Sequence, residues 1–194
     1  MYEVTNREWN VVWGITEFDA SKADFPVTKV PYGKAQAFCW RLTELVHIEL
    51  PGQFPLDLIF RLPTEAEWEY ACRAGEEQKA TIFGDQLSTT EANYGDPEGN
   101  TTKAGSYKEK LMTLKPLPRW ILYDMHGNVL EWCFDWYGDY PVSPAVDPVG
   151  ALRGKARVLR GGSFKNSGSR CRSASRHRLS PISRSDNVGF RVVL

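Results

Sequence analysis

Closely spaced cysteines are missing from this chain. The four it has, Cys39, Cys72, Cys133 and Cys171, never form a C-x-x-C pair, which argues against a zinc site and a thioredoxin-like dithiol. Buried free thiols are the expectation, because free cysteine packs as a small hydrophobe. Only three histidines occur, and no pair of them stands with a carboxylate at facial-triad spacing. His126 and His177 therefore read as turn or surface residues rather than ligands. No apolar run approaches membrane-spanning length, and MYEVTNREW lacks the basic-then-apolar order of a secretory leader. The default expectation is a cytoplasmic chain with no membrane span. Internal repeats and low-complexity tracts are absent too.

Net charge is zero, yet acid is nearly missing from one end. From Arg153 to Leu194 there are nine Arg and two Lys against one acidic residue, Asp186, which leaves residues 1–152 with 13 basic and 23 acidic side chains. Either the two halves neutralise each other across the fold, or the tail forms a basic surface for an anionic partner. The tail holds only two aromatics, Phe164 and Phe190, so no base-stacking platform is evident and nucleic acid is not an expected partner.

At 194 residues the chain suits one domain, 1–194. The opening segment reads as a strand running into a polar turn. VPYGKAQAFCWRLTELVHI then spaces Ala35, Phe38, Cys39, Leu42, Leu45 and Val46 as one face of an amphipathic helix. RLPTEAEWEYACRAG predicts a second helix, with Thr64 as N-cap, Glu67 completing a capping box and Gly75 as the left-handed residue that ends it. Beyond Thr81 the pattern breaks into short runs, and KEKLMTLKPLPRW reads as a mobile or inserted segment. In LYDMHGNVLEWCFDWYG, Val129, Glu131, Cys133 and Asp135 alternate with Leu130, Trp132, Phe134 and Trp136. ARVLRGGSF and NVGFRVVL are strand-like. Two helices followed by loops and short strands give an α+β class.

Taken in order, YEVTNREW, AFCWRL, RLPTEAEWEYACRAG, ANYGD, LYDMHGNVLEW, RGGSF and NVGFRVV resemble the formylglycine-generating enzyme family, the sulfatase-modifying-factor domains, from residue 2 to 194. The resemblance implies a variant of the C-type lectin fold: two packed helices, small antiparallel sheets and much irregular structure. It also implies that most members carry further residues ahead of the segment matching YEVTN.

Active family members oxidise a sulfatase cysteine to formylglycine, using molecular oxygen and copper(I) held by two cysteines in a C-x4-C arrangement after GGS. Soft thiolates select copper(I). Counted forward from Gly161-Gly162-Ser163, those positions are Asn166 and Cys171; counted backward from NVGFR, the second falls on Gly168. With an amide at the first position copper is not expected, and Cys171 is catalytic only if an oxidase reading holds. The resemblance further implies a calcium held by Asp124, the carbonyls of Gly127 and Val129, and Glu131, and a second using Asn93 and the Tyr94 carbonyl.

The same resemblance extends to variable proteins of diversity-generating retroelements, whose C-terminal stretch is rewritten at asparagine codons. Such rewriting reaches every residue at Asn166, Ser167, Ser169, Arg170, Ser175, His177, Leu179, Ser180, Ile182, Ser183, Ser185 and Asp186, though not Lys165. A noncatalytic domain binding a protein or glycan through this C-terminal face, with Phe164 at its edge, is thus the expected function, and a copper-dependent oxidase the alternative. Arg160, Arg172, Arg176 and Arg191 are expected to be framework, pairing with the acidic body.

Overall fold

The computed structural model describes residues 1–75 and 78–194. The first correction comes at once, because the opening segment is helical. Thr5 Oγ1 accepts from the Glu8 N–H while Glu8 Oε2 accepts from the Thr5 N–H at 2.8 Å, and this box starts α1, Asn6–Trp13. The box at 5–8 and the 3–4 spacing of Trp9, Val12 and Trp13 outweigh the strand-like Val4-Thr5, of which only a bridge between Thr5 and Pro26 survives. The long helix α2, Tyr32–Glu49, buries Ala35, Phe38 and Cys39 as their spacing requires. α3, Glu65–Arg73, has the capping box expected of Thr64 and Glu67. Its left-handed C-cap is Ala74, with φ 45°, and Gly75 follows at 93°. The segment expected to be mobile contains a short α4, Lys108–Met112, anchored by buried Leu111 against Ala74 and Ile82.

Four strands form one mixed sheet: β1 Leu130–Trp136, β2 Arg157–Arg160, β3 His177–Leu179 and β4 Val188–Gly189, in the order β3-β2-β1-β4. β2 runs antiparallel to β1 and β3, but β4 lies parallel to β1, with Leu130 opposite Val188. That differs from small antiparallel sheets: the chain leaving β3 at one edge crosses to the far edge before β4. The alternation in β1 divides two cores. Leu130 and Trp132 join Phe38, Leu159 and Phe190 against α1 and α2, whereas Cys133 joins Trp68, Cys72 and Val158 beneath α3. Among the described residues no helix is long and apolar enough to cross a membrane.

Candidate functional site

The segment entering β1 turns through three left-handed residues, Asp124, Gly127 and Asn128, with φ of 57°, 93° and 61°. A side chain on Gly127 would collide with the Asn93 carbonyl, so this turn requires glycine. Asn128 then becomes a hub. Its N–H donates to Asn93 O at 2.8 Å and its carbonyl accepts from Phe164 N–H at 3.0 Å. Its amide oxygen takes the Thr102 N–H at 2.9 Å, and its amide nitrogen donates to Glu3 at 3.0 Å. Neither Asn128 nor Glu3 was singled out from sequence, since their pairing spans 125 residues; only their places in HGN and YEVTN mark them.

A second backbone device holds Cys171. Gly161 and Gly162 have φ of 90° and 75°, and a Cβ on Gly162 would lie 2.5 Å from Cys171 Sγ. The thiol is fully enclosed, and burial pushes it up to about 12, so it is no thiolate at neutral pH. Beside it His126 accepts the Ile82 N–H at Nε2 (3.1 Å), which leaves Nδ1 to donate to the Cys171 carbonyl at 2.8 Å. Burial lowers this imidazole to about 4 and keeps it neutral. Cys72 Sγ lies 3.7 Å from His126 Nε2, but its thiol is also driven to about 12 by burial. The pair is packing, and all four cysteines are free and buried.

Arginines pin the tail to the acidic body. Buried Arg160 joins Glu69 and lies 3.6 Å from Glu65, Arg176 grips Glu65 through two bonds of 2.7 and 2.8 Å, and Arg191 grips Glu131 through two of 2.6 Å. Arg172, also expected as framework, instead stays exposed and has no ion pair among the described residues. The tail's two ends meet: Lys165 pairs with Asp186 at 2.8 Å, and hydrogen bonds run from Ser185 through Asn187 and Ser163 to Asn166. On this frame Ser167, Ser169, Arg170 and Ile182 are exposed, while Asn166, Ser175, His177, Leu179, Ser183 and Ser185 are half-buried. Ser175 and His177 reach back to the carbonyls of Ser169 and Arg170. Phe164 must be withdrawn from the face. It is 3% exposed, turned inward where its N–H bonds Asn128, and Leu179 is largely spent on the first core.

Residues 1–194 match the model of the sulfatase-modifying factor enzyme 1-like domain. The chain belongs to that family. It is 36% identical over 199 residues to the formylglycine-generating enzyme of Mus musculus, with 97% of this chain and 49% of that protein covered. It is 41% identical over 135 residues to serine/threonine-protein kinase pkn1 of Chlamydia caviae, covering 68% of this chain and 20% of that one. The chain thus spans half or less of these relatives. Among solved structures it resembles Treponema denticola variable protein 1, with TM-score 0.76, 29% identity, and 98% and 81% of the two chains covered. The α+β fold with C-type-lectin-like neighbours is thereby shared.

Neither copper(I) nor a calcium between Asp124 and Glu131 fits the side chains as arranged. For copper(I), the first ligand position holds Asn166, whose Oδ1 accepts from Ser163 at 2.9 Å, and the second holds an enclosed neutral thiol. For calcium, both Glu131 oxygens are gripped by Arg191, and one also takes the Trp68 N–H at 2.6 Å. A cation there would lie against a buried guanidinium. Asp124 accepts the Gly105 N–H at 2.5 Å, and burial raises its carboxyl alongside that of Glu3. Of the second set, the Asn93 side chain donates both its amide hydrogens, to Asn128 Oδ1 and to the Asn100 carbonyl, which fixes its orientation.

Proposed function

We propose that this chain is a noncatalytic, ligand-binding member of the sulfatase-modifying family, presenting the segment 165–186 as its contact face. One observation carries the reading: Ser167, Ser169, Arg170 and Ile182 are exposed on a segment whose frame is fixed by the buried ion pairs of Arg160, Arg176 and Arg191. Such a frame tolerates exchange at the exposed positions because the fold does not depend on them. The partner is a protein or glycan. Diversification of the tail by a retroelement accords with the residue set found there and with the likeness to a variable protein.

The test is substitution followed by binding. Library variants at Ser167, Ser169, Arg170 and Ile182 should keep melting temperatures within about 2 °C of the parent, since exposed substitutions cost about 0.5 kcal/mol or less. Selected members should gain or lose ligands. A general loss of folding across that library would defeat the proposal. So would stoichiometric copper(I) uptake with conversion of a cysteine peptide to its aldehyde, the mark of an oxidase.

A further inference from the structure

A cavity of about 540 Å³ opens between α1 and the start of α2, walled by Trp9, Trp13 and Ile15 and rimmed by Lys29, Lys34 and Arg184. We propose that it binds a small organic anion: a carboxylate, sulfate ester or phosphate ester carried on a flat apolar body.

Charge is the first argument. The arginines at 7, 61, 160, 176 and 191 sit in ion pairs with carboxylates, and those at 157, 170, 172 and 178, like the cations here, do not among the described residues; what sets this place apart is that three such cations share one concave rim. No acidic residue lines this cavity, and none of its three exposed cations joins an ion pair among the described residues. Arg184 has only a 3.5 Å contact with the Lys29 carbonyl, and Lys34 Nζ stands 5.6 Å from the centre of the Trp13 ring. Nearby Asp186 pairs with Lys165 at 2.8 Å and also acts electrostatically on Lys29, which leaves Lys34 and Arg184 as the cations that the rim compensates least. By contrast the larger cavity beside α3, about 640 Å³, has Glu65 and Glu69 already paired with Arg176 and Arg160. A net positive rim at a concave surface concentrates anions.

The walls supply the second argument. Trp9 and Trp13 set two indole rings into the wall, a flat apolar surface on which an aromatic body can stack. Trp9 is held rigid by stacking on Phe38 at 5.6 Å with 3° between the rings, and Trp13 tilts against it at 57°. The rim is equally fixed, because the Lys29 N–H bonds the Ser185 carbonyl at 2.9 Å and Tyr32 N–H bonds Pro181 at 3.0 Å. α2 begins beside the cavity with no side-chain cap and no acid in its first turn, so its dipole adds to the cationic field. Flat apolar walls with a few convergent polar groups, at this volume, suit a drug-sized molecule. Arg184 belongs to the segment 165–186, but Ser167, Ser169, Arg170 and Ile182, on which the contact-face reading rests, do not line the cavity, so the two are tested by different variants.

The experiment titrates naphthalene-2-sulfonate into the full chain by calorimetry, with indole fluorescence in parallel. Naphthalene-2-sulfonamide serves as the neutral body and inorganic sulfate as the bare anion. We expect saturable one-to-one binding of the sulfonate, at least tenfold weaker binding of either control, and at least tenfold loss in Lys34→Gln/Arg184→Gln. Lys108→Gln/Lys110→Gln, an exposed pair on α4 away from both the cavity and the tail, should bind as the parent does. Should Arg184 prove necessary for folding, Lys29→Gln/Lys34→Gln gives the same reading. Absence of saturable binding, equal affinity for the sulfonamide or for sulfate, or undiminished binding by the folded rim variants would overturn the proposal.

Discussion

Gly162 and Cys171 share one space. Gly162→Ala adds a methyl 2.5 Å from Cys171 Sγ at a φ of 75°, and is expected to cost about 1–3 kcal/mol in denaturant unfolding. Adding Cys171→Ala should recover part of that loss, a positive coupling that two independent sites would not show. Glu131→Gln leaves the buried Arg191 guanidinium without its counter-charge, and should lower stability by about 3–5 kcal/mol. His126 makes the pH dependence legible. Its folded pKa, about 4, lies below the unfolded value of about 6.5, so the unfolded chain binds more protons between them. Stability is therefore full above that range and falls as the pH drops through it, by up to about 3 kcal/mol. Asp135 opposes this, because burial raises its carboxyl to about 6, and its protonation stabilises the fold as the pH falls. Glu3 and Asp124, whose carboxyls burial also raises, oppose it too, so the His126 contribution is read as the difference between the pH profiles of the parent and of His126→Gln; no difference between them would contradict a neutral, buried imidazole.

Among elements, the helices that announce themselves locally were the legible ones. Thr64 with Glu67 marked α3 because a capping box is complete within four residues. The same box at Thr5 and Glu8 starts α1, but the opening segment reads as a strand from sequence, since Val4 and Thr5 are β-branched. Thr5→Ala should cost about 1 kcal/mol, and hydrogen exchange should quicken in α1 before it does in α2. β1 was readable from its period of two, yet nothing local told that its two faces serve separate cores. The site divided in the same way. Arg160, Arg176 and Arg191 were read correctly as framework, whereas Phe164 was misplaced because one aromatic among serines resembles a contact residue until its Asn128 partner is known. Asn128 and Glu3 could not be found at all, since their roles arise from contacts between distant segments.

On the scale of the whole molecule, the charge asymmetry is internal only in part: Glu65, Glu69 and Glu131 of the body neutralise Arg160, Arg176 and Arg191, while Arg157, Arg170, Arg172, Arg178 and Arg184 join no ion pair among the described residues. Arg191 accordingly stands as a built-in cation at Glu131, and melting curves recorded with calcium and with a chelator should superimpose. A calcium-dependent rise would show that Glu131 releases its guanidinium to the ion. The remaining consequence concerns time. The Val4 N–H bonds the Phe190 carbonyl, Arg61 and Val193 exchange two bonds of 2.9 Å, and Arg191 closes on Glu131. The first core therefore needs the last few residues synthesised. At about 5–20 residues per second on the ribosome, about 3–12 s pass between the synthesis of Trp132 and that of Phe190, and for that interval the aromatic floor lacks its cover.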